Sequence, residues 1–203
     1  MEPLVFSVVR RGTMLPTYKR YHDAGFDLRA GRHFLCKPGR KNKVPSGLRF
    51  KMIHETEGCI RPRSGNSDEG IPGVTIESFY AKCGENLATW AANAAVNFED
   101  AERMTFDDML EKFIEAHADV TFSESELQRF EADVLIGTID ENFSGEVSTS
   151  VYSKEKTKFI IPQNVRISQM VISPVIHARM IEGEVKEENS ERGDQGWNSS
   201  GLM

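Results

Sequence analysis

Near its C-terminus the chain carries Arg192-Gly193-Asp194-Gln195-Gly196-Trp197-Asn198-Ser199-Ser200-Gly201, a stretch with the chemistry of a nucleotide lid. Its glycines let backbone N–H groups approach phosphate oxygens, Arg192 offers a forked charged contact to phosphate, and the Trp197 indole offers a flat face to a planar base. Such a strap cannot fold alone, and Gly-rich ends are commonly plain tails, so it needs a pocket to close over. Arg61-Pro62-Arg63-Ser64-Gly65 is one component: two guanidiniums, a hydroxyl and a glycine on a turn make a compact donor cluster for a polyphosphate, or a surface turn with scattered charge. From Val134 to Val147 an apolar run ends at Asp140, followed by a tight turn, Phe143 and Gly145. A carboxylate where a strand leaves the core has the restricted mobility that general-base chemistry uses, although a hairpin start has the same sequence. Val165 to Ile172 alternates and presents Arg166 and Gln169. Asp23-Ala24-Gly25-Phe26-Asp27-Leu28 sets two acids around a glycine beside an aromatic, which is most simply a turn.

These residues must be held by a frame, and the composition bounds it. With 203 residues the chain suits one domain with an insertion, or two small ones, and 39% apolar and 28% charged residues are ordinary for a globular protein. A net charge of −6 argues against a general nucleic-acid binder, which gains affinity from excess Lys and Arg. A small anion held by a few arginines is compatible with it. Cys36, Cys59 and Cys83 are odd in number and lack CxxC spacing, which points to a reduced compartment rather than a disulfide framework or zinc site. No leader pattern opens the chain and no apolar run approaches about 18 residues, so a cytoplasmic protein with no membrane association is expected.

Short apolar stretches separated by turns dominate the first third. Leu4 to Val9, Phe34-Leu35-Cys36 and Val44 to Phe50 read as strands of a sandwich or barrel. The basic run Lys37 to Lys43 has a Pro-Gly turn inside it and no interleaved aromatics, so it reads as a solvated hairpin tip. The texture then changes. Leu87, Trp90, Ala91 and Ala94 fall at helical spacing. Thr105 with Asp108 caps a second helix, with Phe106, Met109, Leu110, Phe113, Ile114 and His117 on one face; Ser123 with Glu126 caps a third, carrying Leu127 and Phe130. Such a stripe is core rather than a cofactor cradle, and the histidines show no ligand spacing. The expected organisation is a β core over 1–78 and 132–180, a helical module over 79–131, and a linker with lid over 181–203. Ile181 to Glu191 is rich in Glu and Lys and reads as a mobile linker; extended, it spans roughly 35 Å, enough to reach a neighbouring subunit.

Taken in order, these pieces resemble the five motifs of the trimeric dUTPase family: Asp23 to Leu28, Pro62 to Gly65, Gly137 to Glu146, Arg166 to Gln169, and the C-terminal strap. The resemblance implies a mainly β jelly-roll that assembles as a homotrimer, with each active site built from three subunits. It implies hydrolysis of dUTP to dUMP and pyrophosphate with Mg²⁺, which limits uracil in DNA and supplies dUMP for dTTP synthesis. On it, Asp140 matches the base that activates water for attack on the α-phosphorus, and Asp27 the acid that holds magnesium through its waters. Arg63, Ser64 and Gly65 match the phosphate turn, Arg166 and Gln169 further phosphate contacts, Gly137 and Phe143 the nucleoside side. Arg192, Gly196, Trp197 and Ser199 match the lid. Related phage enzymes also carry an insertion at the place of the helical module, so a phage origin fits.

Several positions depart from the family pattern. Phe143 stands for the usual tyrosine under the deoxyribose, which keeps the ring that crowds out a 2′-hydroxyl and drops the phenol. Trp197 stands for phenylalanine and Asn198 for glycine. The insertion interrupts the uracil-binding hairpin, whose first arm is either Gly73-Val74-Thr75-Ile76 or Asp133-Val134-Leu135-Ile136. A dCTP deaminase or another dNTP pyrophosphatase is the competing activity; the deaminase's glutamate and arginine are replaced by Ser150 and Asp68. A different class of reading makes the chain an interaction protein whose module at 79–131 binds a protein partner, against a module that packs on the core as decoration.

Overall fold

Short, β-branched and aromatic segments broken by Gly, Pro and Asn turns dictate short antiparallel strands, and that is what the computed structural model contains; it describes residues 7–10, 12–93 and 104–183. The first strands are β1 (Ser7–Arg10), β2 (Gly25–Arg29), β3 (Phe34–Cys36), β4 (Lys41–Pro45), β5 (Leu48–Lys51) and β6 (Thr56–Arg61). Helix α1 (Ser64–Glu69), strand β7 (Ile71–Gly73) and helices α2 (Ile76–Cys83), α3 (Leu87–Asn93) and α4 (Phe106–Ala116) follow. The chain then returns to strands: β8 (Gln128–Phe130), β9 (Ala132–Val134), β10 (Gly137–Ile139), β11 (Ser148–Ser153), β12 (Phe159–Ile161) and β13 (Arg166–Pro174).

The strands form a mainly β, jelly-roll architecture of small antiparallel sheets. One has four strands in the order β10-β6-β13-β2 and a second three in the order β4-β11-β9; β1-β5, β12-β3 and β7-β8 pair separately. Alternation decides what each strand presents. Along β2 the side chains of Phe26 and Leu28 are buried while Asp27 and Arg29 lie on the other face. Phe26, Leu28, Leu48, Phe50, Ile60, Val147 and Met170 close one apolar cluster, and Val44, Ile71, Val151, Phe159, Ile161 and Ile167 another. Asp23 to Leu28, which also fits a plain turn, is strand from Gly25; Asp23 only closes the preceding turn, its N–H donating to the Arg20 carbonyl at 3.1 Å.

The helices form a layer over β3 and β12. Thr75 caps α2 by accepting the Ser78 N–H at 3.1 Å, and Gly84, in the left-handed region at φ 76°, ends it. Thr105 and Asp108 make the reciprocal cap of α4. Phe79, Leu110 and Phe113, fully buried, close on Leu35, Val74 and Ile160 of the β core. Burying such side chains stabilises by about 1.5–3 kcal/mol each. Lys37 lies 2.8 Å from Glu111, and Lys158 pairs with Asp107, so α4 is also tied to the ends of β3 and β12 by charge. Partly exposed pairs of this kind contribute about 0–1 kcal/mol, so the apolar contact dominates. Lys37 is thus not part of a solvated tip, because the module supplies it with carboxylates.

Three further sequence expectations change here. The helical segment begins at Ile76 rather than at 79. The cap at Ser123 and Glu126 forms, yet it opens only a single 3-10 turn over Glu124–Glu126, and Gln128–Phe130 is strand. Pairing of Phe130 with Ile71 and stacking of its ring on Phe159, 4.2 Å between centroids and 2° between planes, outweigh a local cap. Third, Ser64 opens a helix rather than continuing a turn. Ala94 lies outside the described residues, as do residues 184–191 of the expected linker. Among the described residues no helix is long and apolar enough to cross a membrane.

Candidate active site

The site is built where β2, β13 and the start of α1 meet. In a regular strand Arg166 and Gln169, three positions apart, point to opposite faces. A register shift between Arg166 and Ser168 removes that conflict: Arg166 lies opposite Arg29, Ser168 opposite Leu28 and Gln169 opposite Asp27. Ile167 is the extra residue of this bulge, and both Ile167 and Ser168 are buried. Arg166 and Gln169 therefore share the face of Asp27 and Arg29. The strand's expected simple alternation is replaced by this bulge.

Arg63, the residue before α1, brings a guanidinium to the same place. Its Nε donates to Asp27 Oδ1 at 2.7 Å, and Arg166 Nε lies 3.3 Å from Asp27 Oδ2, so one carboxylate bridges two arginines. Gln169 Nε2 donates to the Pro62 carbonyl at 2.9 Å and fixes the residue that precedes Arg63. Helix α1 is held against the bulge by Asn66, which is 3% exposed: its Nδ2 donates to the Ile167 carbonyl at 2.9 Å. At the other end of α1, Gly70 has φ 85° and an added Cβ would collide with the Phe130 carbonyl, so the position requires glycine. Ser64 and Gly65 are exposed on the first turn, and nothing lies within 4 Å of where a Gly65 Cβ would stand.

Electrostatically this face is a cationic grip. Arg29 stands opposite Arg166 across the ladder, an arrangement of like charges that costs stability. Burial and then the neighbouring Arg166 push the Arg29 pKa down, with Asp27 opposing and Arg63 adding to the shift. Three guanidiniums against one carboxylate leave excess positive charge for an anion. A depression of about 260 Å³ is lined by Lys19, Asp23, Asp27, Arg63, Ser64 and Gln169. A second, of about 130 Å³, shares Lys19 and Asp27 with it and adds Arg29 and Arg166. Sequence reasoning missed Lys19, Arg29 and Asn66. Arg29 was within reach, since it is two residues from Asp27 on the same strand; Lys19 and Asn66 left no local signal.

Asp140 and Phe143 are not part of this cluster. Asp140 follows β10 directly and is exposed, at the far edge of the sheet from β2. Three strand spacings separate the two edges, about 14 Å. The Phe143 N–H donates to the Asp140 carbonyl at 3.0 Å and closes the turn between them. The Phe143 ring, 40% exposed, lies so close to Gly145 that a Cβ there would be 2.7 Å from Cζ. Gly137, at the start of β10, has open space beside it. Of the two candidate arms for a hairpin around Phe143, Asp133 to Ile136 pairs with the return strand: Val134 lies opposite Val151, and the Leu135 N–H donates to Ser150 at 2.9 Å. The other is committed elsewhere, Gly73 to Gln128 and Val74 to Ile160. Arg192, Gly196, Trp197 and Ser199 lie outside the described residues.

Among the described residues no group of three or more His, Cys, Asp and Glu converges as a metal cage. Asp23 and Asp27 line the same depression beside cations. Magnesium commonly keeps several waters and is bound through one or two carboxylates plus substrate phosphates. This donor set fits a magnesium carried in on a polyphosphate.

The comparisons with known proteins point the same way. A dUTPase family model matches residues 12–85 and 90–201. A deoxyuridine 5'-triphosphate nucleotidohydrolase of Clostridium kluyveri is 26% identical over 200 residues, covering 98% of this chain and 99% of that protein. Among solved structures, the Staphylococcus bacteriophage 80alpha dUTPase with dUPNHPP superposes with a TM-score of 0.61 at 16% identity, covering 98% of this chain and 99% of that one. A mutant dUTPase from phage phi11 of S. aureus, described for its coordination of a structural Mg(II) ion, gives 0.54 at 11% identity over 90% of this chain and 98% of that one. With the family model matched over most of its length, this chain belongs to the dUTPase family and carries a phage-like helical insertion.

Proposed function

We propose that this chain hydrolyses dUTP to dUMP and pyrophosphate as a homotrimer whose sites combine the grip of one subunit with the Asp140 turn of another. The observation that carries this reading is the separation itself: Arg63, Arg166 and Asp27 converge at one sheet edge while Asp140 stands at the other, so each chain offers two incomplete halves. Arg63, Ser64, Gly65, Arg166 and Gln169 bind the phosphates and neutralise charge that builds on the leaving pyrophosphate. Asp140 takes a proton from the attacking water and aims it at the α-phosphorus, a role worth about 10² to 10⁴ in rate. Phe143 sits under the deoxyribose and crowds out a 2′-hydroxyl, and the hairpin of Asp133 to Ile136 with β11 receives the base beside Gly137. Arg192 meets the γ-phosphate and Trp197 covers the base, with Gly196 and Ser199 shaping the lid. Asp27, with Asp23, would hold Mg²⁺ through its waters. When bound, that ion supplies charge neutralisation on the triphosphate.

The module's apolar packing on Leu35, Val74 and Ile160 supports an integral structural layer rather than a separate partner surface. The deaminase alternative lacks support, since Asp68 lies exposed on α1 and Ser150 on β11 supplies no acid.

Subunit complementation tests the reading. Asp140→Asn and Arg63→Ala proteins are each expected to fold and to lose at least about a hundredfold in turnover. Mixed and allowed to exchange subunits, they regain activity in about a quarter of sites, as random assembly of a closed ring predicts. Recovery of no activity in the mixture, with both variants trimeric, rejects shared sites; near-wild-type turnover of Asp140→Asn rejects Asp140 as the base.

A further inference from the structure

The loop that carries Asp140 is clasped to its own chain at three points. Arg49 Nε donates to the Ser144 carbonyl at 2.7 Å, and Glu146 Oε1 accepts the Gly47 N–H at 2.7 Å; both secure the downstream half of the loop. The half that holds Asp140 is secured by its neighbour Glu141. One Glu141 oxygen accepts the Glu55 N–H at 2.9 Å, and the two oxygens lie 2.8 and 3.0 Å from His54 Nδ1. Glu55 has φ 58°, the left-handed region that a glutamate rarely adopts. Its carbonyl accepts the Val175 N–H at 2.8 Å. The strained turn between β5 and β6 is thus gripped on its N–H by the Asp140 turn and on its C=O by the chain leaving β13. Backbone strain of this kind persists where the surroundings over-determine it, commonly beside functional groups.

We propose that Glu141 is a positioning residue that orients the Asp140 carboxylate through their shared turn, and that His54 is the partner that holds Glu141 in place. The proposal rests on Asp140 being the base. Both side chains are exposed, His54 by 80% and Glu141 by 41%, so the ion pair is screened and its effect modest. The hydrogen bond to the Glu55 N–H gives the contact its geometry. Misplacement of a reacting group by about 1 Å costs up to about a hundredfold; with Arg49 and Glu146 still holding the rest of the loop, about a tenfold loss is expected.

The clasp also titrates. The groups facing His54 are Glu141 and Glu55, and His177 faces Glu141. The hydrogen bond and charge of Glu141 raise the His54 pKa above its ordinary 6.5, and the hydrogen bond from His54 lowers that of Glu141 below 4.5. The clasp is complete between those two limits. It weakens as pH rises through the raised His54 pKa, because the neutral ring no longer offers charge.

The test is steady-state pyrophosphate release by the full-length protein across pH 5.5 to 9, with Glu141→Ala, Glu141→Gln, His54→Gln and Asp140→Asn as variants. Glu141→Ala is expected to lower kcat about tenfold with KM for dUTP changed less than about twofold, and to abolish the alkaline loss of kcat assigned to His54. Glu141→Gln, which still accepts the Glu55 N–H, should recover part of kcat. His54→Gln should behave at pH 6 as the natural protein does above the His54 pKa. The near-isosteric Gln variants decide the matter if the alanine variant does not fold. Unchanged kcat and pH profile in the Glu141 variants, with Asp140→Asn inactive, overturns the clasp and leaves the base assignment standing. An active Asp140→Asn overturns the proposed function itself. A lowered Tm with kcat and pH profile of the natural protein assigns Glu141 to stability alone and also overturns the proposal.

Discussion

Replacing Asp27 with asparagine separates the two tasks this carboxylate performs. In the free protein it bridges Arg63 and Arg166 at 2.7 and 3.3 Å, cancelling one charge of the grip. In the proposed complex it faces the waters of a magnesium ion. The substitution keeps the shape, adds one unit of net positive charge, and removes the anionic partner of the metal. A phosphate at about 6 Å, with an effective dielectric constant of about 20 to 40, gains about 1.4–2.8 kcal/mol from the lost repulsion. Screening at physiological ionic strength trims this to about tenfold in affinity. Without divalent ion, Asp27→Asn should therefore bind a non-hydrolysable dUTP analogue about tenfold more tightly than the natural protein. With Mg²⁺ the same variant should turn over at least about tenfold more slowly, because the metal loses its seat while the nucleotide keeps its own. Calorimetric titration in the presence of a chelator gives the first quantity and pyrophosphate release the second. The substitution also removes two charge-assisted contacts that a half-buried site makes worth about 1–2 kcal/mol together, so Tm should fall by about 2–8 °C. Equal or weaker metal-free binding, in a variant that remains folded, would falsify the view of Asp27 as a brake on a cationic grip.

Other outcomes follow from single contacts. Asn66→Ala leaves the bulge carbonyls at Ile167 without their donor and is expected to cost about 1.5–3 kcal/mol, lowering Tm by about 3–12 °C in a thermal scan. Turnover should fall with it, since α1 sets the place of Arg63. Phe113→Ala opens a cavity where the helical layer meets the β core and should cost about 3–5 kcal/mol by denaturant titration, with the layer unfolding together with the core. His33 is buried, its Nε2 donating to the Val120 carbonyl at 2.9 Å and its Nδ1 accepting the Gln163 N–H at 3.1 Å. Burial lowers its pKa below 6.5, so the unfolded chain binds the proton more readily. Stability is therefore full above about pH 6.5 and declines as pH falls through the depressed value, and His33→Gln should flatten that part of the pH-dependence of Tm.

Much of the site was legible because β structure writes itself in steps of two. Asp27 and Arg29 share a face by spacing alone, and Asp140 ends an apolar run. The helical layer was legible through the cap at Thr105 and the stripe of Leu110, Phe113 and Ile114. The failures have one physical character. The cap at Ser123 was read correctly as a local signal, but the segment after it obeyed an edge strand more than 50 residues earlier in the chain. The side chain of Asn66 bonds a backbone 101 positions away, which no local pattern encodes. The bulge at Ile167 defeats period counting because an inserted residue leaves no mark in the types around it.

Residue chemistry by itself determined that this chain carries arginines, acids and an aromatic suited to a triphosphate and a nucleoside, and motif order named the family. Only the tertiary structure decided that the arginines and Asp27 gather at one sheet edge while Asp140 stands at the other, because strand order is set by which cores fuse and which edges pair. Those are contacts between segments far apart in the chain, and their energy is gained only when the whole β core closes.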